Sequence, residues 1–334
     1  MIYREENDRC KHSKVNYLEG LMSLINRRQK QAENIRAEYF RDIFTNPEKY
    51  RKDLKHMLGW PLVEHKTKGT PKVSAEKLSQ EDGYCIYRMQ FDVLEGLKLT
   101  GLFFRVEGDN RKPLVIVQHG GLGTPEHIAG FYGDTTNYNN MLHRVLKQNV
   151  HVFAPQLLLW SGDYQVEYDR KAIDAQLKRV GSSIAAVEIY GITRLIDYFE
   201  TQDYVSTFGM VGLSYGGFYT LYTTAIDTRI QSAISCSFFN KRDIVGWSDW
   251  TWLKSAEQFD DAEIACLAYP RKLCIEIGDE DELFDYRFAM ESFERVQEIC
   301  KDVGMQWIEF VVFNGTHEFC KDDGPITRLI RDII

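Results

Sequence analysis

The feature that most limits what this chain can become is Gly212-Leu213-Ser214-Tyr215-Gly216-Gly217, which follows the apolar run Phe208 to Leu213 and precedes the helix-compatible stretch Phe218 to Ile226. A serine between glycines at a strand-to-helix junction is the pattern of a very tight turn. The glycines two residues to either side carry no side chains, so the hydroxyl can project from the sheet edge while the backbone around it packs closely. Such a turn needs a strand before it and a helix after it, and the rest of the chain repeats that alternation. Apolar runs at Leu114 to Gln118, Val150 to Ala154, Ile230 to Ser235, Leu273 to Ile277 and Trp307 to Phe313 are separated in several places by helix-like segments such as Ala172 to Phe199 and Arg287 to Lys301. Before them, Tyr84 to Phe91 alternates and Leu97 to Val106 follows, after a polar link around Lys66 to Lys77. The expected fold class is therefore α/β, a mostly parallel sheet with helices on both faces.

Ahead of the sheet, apolar residues from Tyr17 to Phe44 recur at helical spacing: Leu18, Leu21, Met22, Ile25, Ala32, Ile35, Tyr39 and Ile43. A second helix is signalled by Asn46 as N-cap, Pro47 at its first position, Gly59 after Leu58, and Pro61 beyond. This divides the chain into an N-terminal helical extension, residues 1–65, and a main domain, residues 80–334. Residues 1–60 hold 13 Lys and Arg against 9 Asp and Glu, net +4, which leaves −12 on the remainder of a chain whose total is −8. The stripe and the charge make the extension a candidate for docking on the body or for forming a homo-oligomer.

An acidic balance and the absence of a basic cluster argue against nucleic acid as a partner. Seven widely spread cysteines with no C-x-x-C pair suggest neither a disulfide framework nor a metal knuckle, so buried reduced thiols are expected. The first fourteen residues are charged throughout, and no run approaches the ~18 apolar residues of a membrane span. A cytoplasmic protein without membrane attachment is the expectation.

A serine hydroxyl is a weak nucleophile at neutral pH and needs a base, which in turn needs a carboxylate to orient it. Of the eight histidines only His317 lies after Ser214, in the loop Asn314-Gly315-Thr316-His317-Glu318 behind the last apolar strand. For the acid, the strand Leu273 to Ile277 runs into Gly278 and then five carboxylates between Asp279 and Asp285. The turn at Gly278 favours Asp281, with Asp279 and Asp285 as alternatives. The alternating ligands of a calcium loop are missing. Two N–H donors are then required for a developing oxyanion: Tyr215 provides one and Gly121, in Gln118-His119-Gly120-Gly121 after the third strand, provides the other, with His119 buttressing that turn.

With these residues in place, the chain resembles the α/β-hydrolase superfamily over Tyr84 to Ile334. Its nearest likeness is to the branch of acetyl xylan esterases and dienelactone-hydrolase-like proteins that adjoins the prolyl oligopeptidases. The elbow, Gln118 to Gly121, Ala225 to Ile230 and Tyr269-Pro270-Arg271-Lys272 leading to Asp281 carry the likeness. It implies ester hydrolysis by Ser214, Asp281 and His317 on a small-molecule ester, without metal or organic cofactor. Dienelactone hydrolases have cysteine where this chain has Ser214, and no propeller-sized segment is present. The resemblance also implies a short acyl group on a carbohydrate or similarly polar alcohol. Trp247, Trp250 and Trp252, in an insertion between Phe238 and Tyr269, are candidates to stack on such a substrate or else to form a local core. Two other functions compete: a small serine peptidase of the oligopeptidase type, and a non-catalytic binding module.

Overall fold

The computed structural model describes residues 2–5, 7–60, 69–160 and 166–334. Two helices, α1 (Asn7–Tyr39) and α2 (Pro47–Leu58), precede a nine-stranded sheet. Strands β1 (Val73–Glu81), β2 (Tyr84–Leu94), β3 (Leu97–Val106) and β4 (Lys112–Gln118) lead into α3 (Pro125–Ile128), α4 (Met141–Leu146) and β5 (His151–Pro155). There follow α5 (Arg170–Arg179), α6 (Ile184–Glu200), β6 (Val205–Leu213), α7 (Tyr215–Ile226) and β7 (Ile230–Cys236). After α8 (Ser255–Gln258) and α9 (Asp261–Cys266) come β8 (Lys272–Gly278), α10 (Tyr286–Ile299), β9 (Ile308–Phe313) and α11 (Gly324–Arg331).

The strand order is β1-β2-β3-β5-β4-β6-β7-β8-β9. From β5 through β4, β6, β7 and β8 to β9 every pairing is parallel, and β1, β2 and β3 join antiparallel on one side. Central strands buried on both faces read as continuous apolar runs, which is why β4, β6 and β8 were visible in the sequence. One face is covered by α2, α6, α7, α9 and α10, with Phe91, Phe153, Phe199, Phe218 and Tyr222 in its core. The other is covered by α3, α4 and α11, around Phe104, Val117, Met141, Val211 and Ile330.

Three boundaries differ from the sequence reading. The polar link contains β1, an edge strand with an almost fully exposed burial pattern, so no apolar alternation marked it. The sheet therefore begins at Val73 rather than at residue 80, and the His119 turn follows the fourth strand rather than the third. The segment read as one helix from Ala172 to Phe199 is two, because Gly181 takes φ +87° and the Ser183 side chain caps a new helix by accepting from the Ala186 N–H. The expected break at Pro61 and the boundary at residue 65 lie outside the described residues.

The extension is not uniform. Helix α1 starts ten residues earlier than its apolar spacing suggested; Leu18, Leu21, Met22 and Ile25 on it are exposed, whereas Ala32, Phe40 and Ile43 are buried. Helix α2 ends at Gly59 in the left-handed region, where a Cβ would lie 2.6 Å from Ser182 Cα, so glycine is required there. Asn46 stands at its N-cap without a side-chain capping bond. Buried Arg51 donates from α2 to the carbonyls of Ala225 and Leu267, and Ser183 Oγ donates to Leu58 O at 2.6 Å. This second helix is thereby part of the main body. Of the seven cysteines, all free, five are buried; Cys10 is exposed and Cys85 half-buried.

Candidate active site

Ser214 sits between β6 and α7 with φ +61° and ψ −120°, a conformation a non-glycine residue adopts only when its surroundings impose it. Those surroundings are backbone. A Cβ on Gly212 would lie 2.3 Å from Gly216 O, one on Gly216 would lie 2.2 Å from Gln118 O, and one on Gly217 would lie 2.6 Å from Cys236 O. The glycines let α7 start directly against the ends of β4 and β7, and the Ser214 N–H donates to Cys236 O at 2.9 Å.

His317 and Asp281 meet at the same strand ends. The imidazole Nδ1 lies 3.0 and 3.1 Å from the two Asp281 carboxylate oxygens. Asp281 Oδ1 also accepts from the N–H groups of Leu283 and Phe284, so the carboxylate is held by its own loop. A Cβ on Gly278 would lie 2.3 Å from Gly315 O, which explains why the acid loop can lie directly under the histidine loop. Of the other two acids considered, Asp279 accepts from Gly315 N–H, while Asp285 caps α10 and pairs with Arg287. Accepting at Nδ1–H, Asp281 leaves Nε2 as the basic nitrogen.

The sequence reading missed the segment that ties these loops together. Asn137 Nδ2 donates to His317 O at 3.0 Å, Phe319 N–H donates to Asn137 O at 2.8 Å, and Asn139 donates to Glu318 and to Phe319 O. Between them, the Tyr138 hydroxyl accepts from Gly120 N–H at 2.8 Å. Cys236 Sγ and Ser237 Oγ both donate to Glu318 O, closing the circuit back to the strand that holds Ser214. Nothing in Asn137-Tyr138-Asn139 marks it as more than a polar loop. The turn Gly120-Gly121 is further braced by fully buried His119, whose Nδ1 donates to Gly120 O while Nε2 accepts from Leu157 N–H. Burial pushes the His119 imidazole down to about 4, so it stays neutral in this role.

The tryptophans divide. Trp250 and Trp252 are 3% and 7% exposed, with their rings stacked on Phe218, and Trp252 also packs on Tyr222. With those faces covered they form a local core, and stacking on a ligand is corrected to packing. Trp247 is half-buried and stacks on the Tyr215 ring at 5.7 Å. Trp247 and Trp250 both pack on Phe284, whose ring lies 5.7 Å from that of His317, so the cluster backs the imidazole. Trp160 lies against Gly121: a Cβ there would be 2.9 Å from the indole. A cavity of about 790 Å³ opens beside this turn, with Leu122, Leu157, Trp160, Leu177 and Val187 in its wall. Among the described residues there is no cluster of three His, Cys, Asp or Glu suited to a metal ion, and no helix long and apolar enough to cross a membrane.

No protein-family model and no curated protein sequence matches the chain. Solved structures do. A putative acetyl xylan esterase from Bacteroides fragilis superposes with a TM-score of 0.61 at 16% identity, covering 80% of this chain and 75% of its own. Acetyl xylan esterase 1 from Thermoanaerobacterium sp. gives 0.55 at 14%, covering 85% and 92%, and a glucuronoyl esterase from Solibacter usitatus gives 0.58 at 12%, covering 84% and 90%. At such identities the likeness establishes architecture, and with its strand order, serine elbow and histidine loop the chain has the α/β-hydrolase fold.

Proposed function

We propose that this protein is a serine hydrolase that cleaves carboxylic esters through an acyl-enzyme. The observation that carries the proposal is the Asp281–His317 pair, held at the strand ends where Ser214 stands on a strained elbow. In this reading Ser214 Oγ attacks the ester carbonyl while His317 Nε2 takes its proton. The charge that develops on the carbonyl oxygen is met by the backbone N–H groups of Gly121 and Tyr215. His317 then protonates the departing alcohol and deprotonates the water that releases the acid from Ser214. Asp281 orients the imidazole and balances the charge it acquires.

For the substrate, the fold neighbours acting on carbohydrate esters support a short acyl group on a carbohydrate or similarly polar alcohol. A second reading, a larger apolar acyl group, is favoured by the cavity beside Leu122 and Trp160, whose volume suits a ligand far bigger than an acetyl group. Acetyl, butyryl and octanoyl esters, acetylated sugars and aminoacyl arylamides, tested on wild type and Ser214→Ala, decide between them. Acetyl turnover ahead of octanoyl supports the first reading and the reverse order the second. Arylamide cleavage alone indicates a peptidase, and no turnover with no fluorophosphonate label on Ser214 defeats the hydrolase proposal.

A further inference from the structure

Directly behind the elbow lies a closed network of buried charge. Arg170, at the start of α5, is 4% exposed and donates from Nε to Asp249 Oδ2 at 2.9 Å, from Nη1 to Glu188 Oε2 at 3.1 Å, and from Nη2 to the Tyr219 hydroxyl at 2.8 Å. Asp249, itself fully buried, accepts from the Tyr215 hydroxyl at 2.7 Å through the same oxygen. Tyr215 in turn accepts from Trp160 Nε1 at 3.1 Å. Trp160 closes the chain on Gly121: a Cβ there would stand 2.9 Å from its indole, and its backbone N–H donates to Gly121 O at 2.9 Å.

We infer that Asp249, Arg170, the Tyr215 hydroxyl and Trp160 are positioning residues that set the spacing between the two oxyanion donors, an inference that rests on the serine hydrolase reading above. The two donors belong to separate elements, Tyr215 to the start of α7 and Gly121 to the turn after β4. Their elements touch through backbone, Gly216 against Gln118 O, and the side chains add a tie between the donor residues themselves. The Trp160–Tyr215 hydrogen bond joins the side chain of one donor residue to the ring that clamps the other. Stability is a poor account of such a network, because a buried ion pair commonly contributes little net stability over an apolar replacement. Geometry is a better one: Asp249 fixes where the Tyr215 hydroxyl stands, Arg170 fixes Asp249, and Glu188 holds both Arg170 and the Leu158 N–H two residues before Trp160. Donors aimed at the oxyanion act in the transition state, so a shift in their spacing appears in turnover more than in substrate binding.

The test uses the full chain and Tyr215→Phe, which keeps the ring and removes the hydroxyl, with Trp160→Phe breaking the same bond from its other side. Aryl acetate kinetics are read together with affinity for an aryl trifluoromethyl ketone, whose adduct with Ser214 presents an oxyanion to both donors. Expected for Tyr215→Phe are a kcat lower by about 10- to 100-fold, a KM within about threefold, and ketone affinity falling in parallel with kcat/KM. The double variant is expected to be no worse than the weaker single one. Should Tyr215→Phe fail to fold, Trp160→Phe carries the same expectations. Unchanged kcat and ketone affinity, or a loss confined to KM, overturns the inference. A wild type that is inactive and unlabelled by fluorophosphonate overturns the hydrolase reading and this inference with it, whereas an active, labelled wild type with an unaffected Tyr215→Phe overturns this inference alone.

Discussion

Asp281 and Asp249 are both buried carboxylates at the same edge of the sheet, and each accepts from a nitrogen base, yet their partners differ in kind. Asp281 meets the imidazole of His317, which retains some exposure and has a second nitrogen free of the carboxylate. Asp249 meets the guanidinium of Arg170, permanently charged and enclosed by Glu188 and Tyr219. A carboxylate facing a titratable ring can support a proton that moves, while one facing a fixed cation in a closed cluster can only hold neighbours in place. Burial alone therefore does not identify a catalytic acid; the partner and its open side do.

The comparison breaks most visibly at the titratable end. Ser214→Ala and His317→Ala are each expected to lower kcat by about 10⁴-fold or more while the melting temperature stays near that of the wild type, because nucleophile and base act as a unit. Steady-state kinetics with thermal denaturation check this, and a shift of the fluorophosphonate label to another serine would relocate the nucleophile. Next, Asp281→Asn is expected to lower kcat by about 10²- to 10⁴-fold, since the amide no longer selects the tautomer with Nε2 free. Asp279→Asn and Asp285→Asn are expected to stay within about threefold. A larger loss at either would transfer the role despite the geometry.

Trp250 sharpens the contrast between holding and reacting. Trp250→Ala removes a large buried ring and is expected to destabilise the fold by about 3–5 kcal/mol in a denaturant titration. Its effect on KM is expected to be equal for a sugar ester and an aryl acetate, and a selective rise for the sugar ester would restore Trp250 as a stacking residue.

Glu276 adds a third buried carboxylate, this one with no salt-bridge partner among the described residues. It is 1% exposed on β8, and burial pushes its carboxyl up from 4.5 to about 7. A carboxyl whose folded pKa lies above its unfolded value binds more protons in the folded state, so stability falls as pH rises from about 4.5 through about 7. At pH 8 the loss is on the order of 3 kcal/mol at most. Glu276→Gln is expected to flatten the dependence of melting temperature on pH across that window; an unchanged slope would show that Glu276 is not the group responsible.

The smallest effect is expected where neither carboxylate system is touched. Removing residues 1–28, whose apolar stripe at Leu18, Leu21, Met22 and Ile25 is exposed, is expected to leave aryl acetate turnover within about twofold and to lower particle mass by light scattering beyond the mass deleted; a drop equal to the deleted mass alone would show that the stripe joins no second copy. Deletion through Leu58 instead strips buried Tyr50, Arg51 and Leu54 from the body and is expected to cause aggregation.

What the sequence determined by itself is local or unique. The glycines around Ser214 and at Gly278 are steric requirements written into neighbouring positions, and His317 could be singled out because no other histidine follows the elbow. Central strands were legible because burial on both faces forces continuous apolar runs. What only the tertiary structure decided depends on residues far apart in the chain. One carboxylate of five reaches the imidazole because Gly278 lets two loops touch. The polar strand β1 exists through its pairing with β2 rather than through any periodicity of its own. In sequence Trp250 and Trp252 are open to stacking on a ligand or to forming a local core, and they are buried because Phe218 on α7 lies beneath them. Arg170, Glu188 and Asp249 are spread over 80 residues and read separately as ordinary surface charges; only folding removes them from water together, and the cost of burying each charge alone is what compels them to meet.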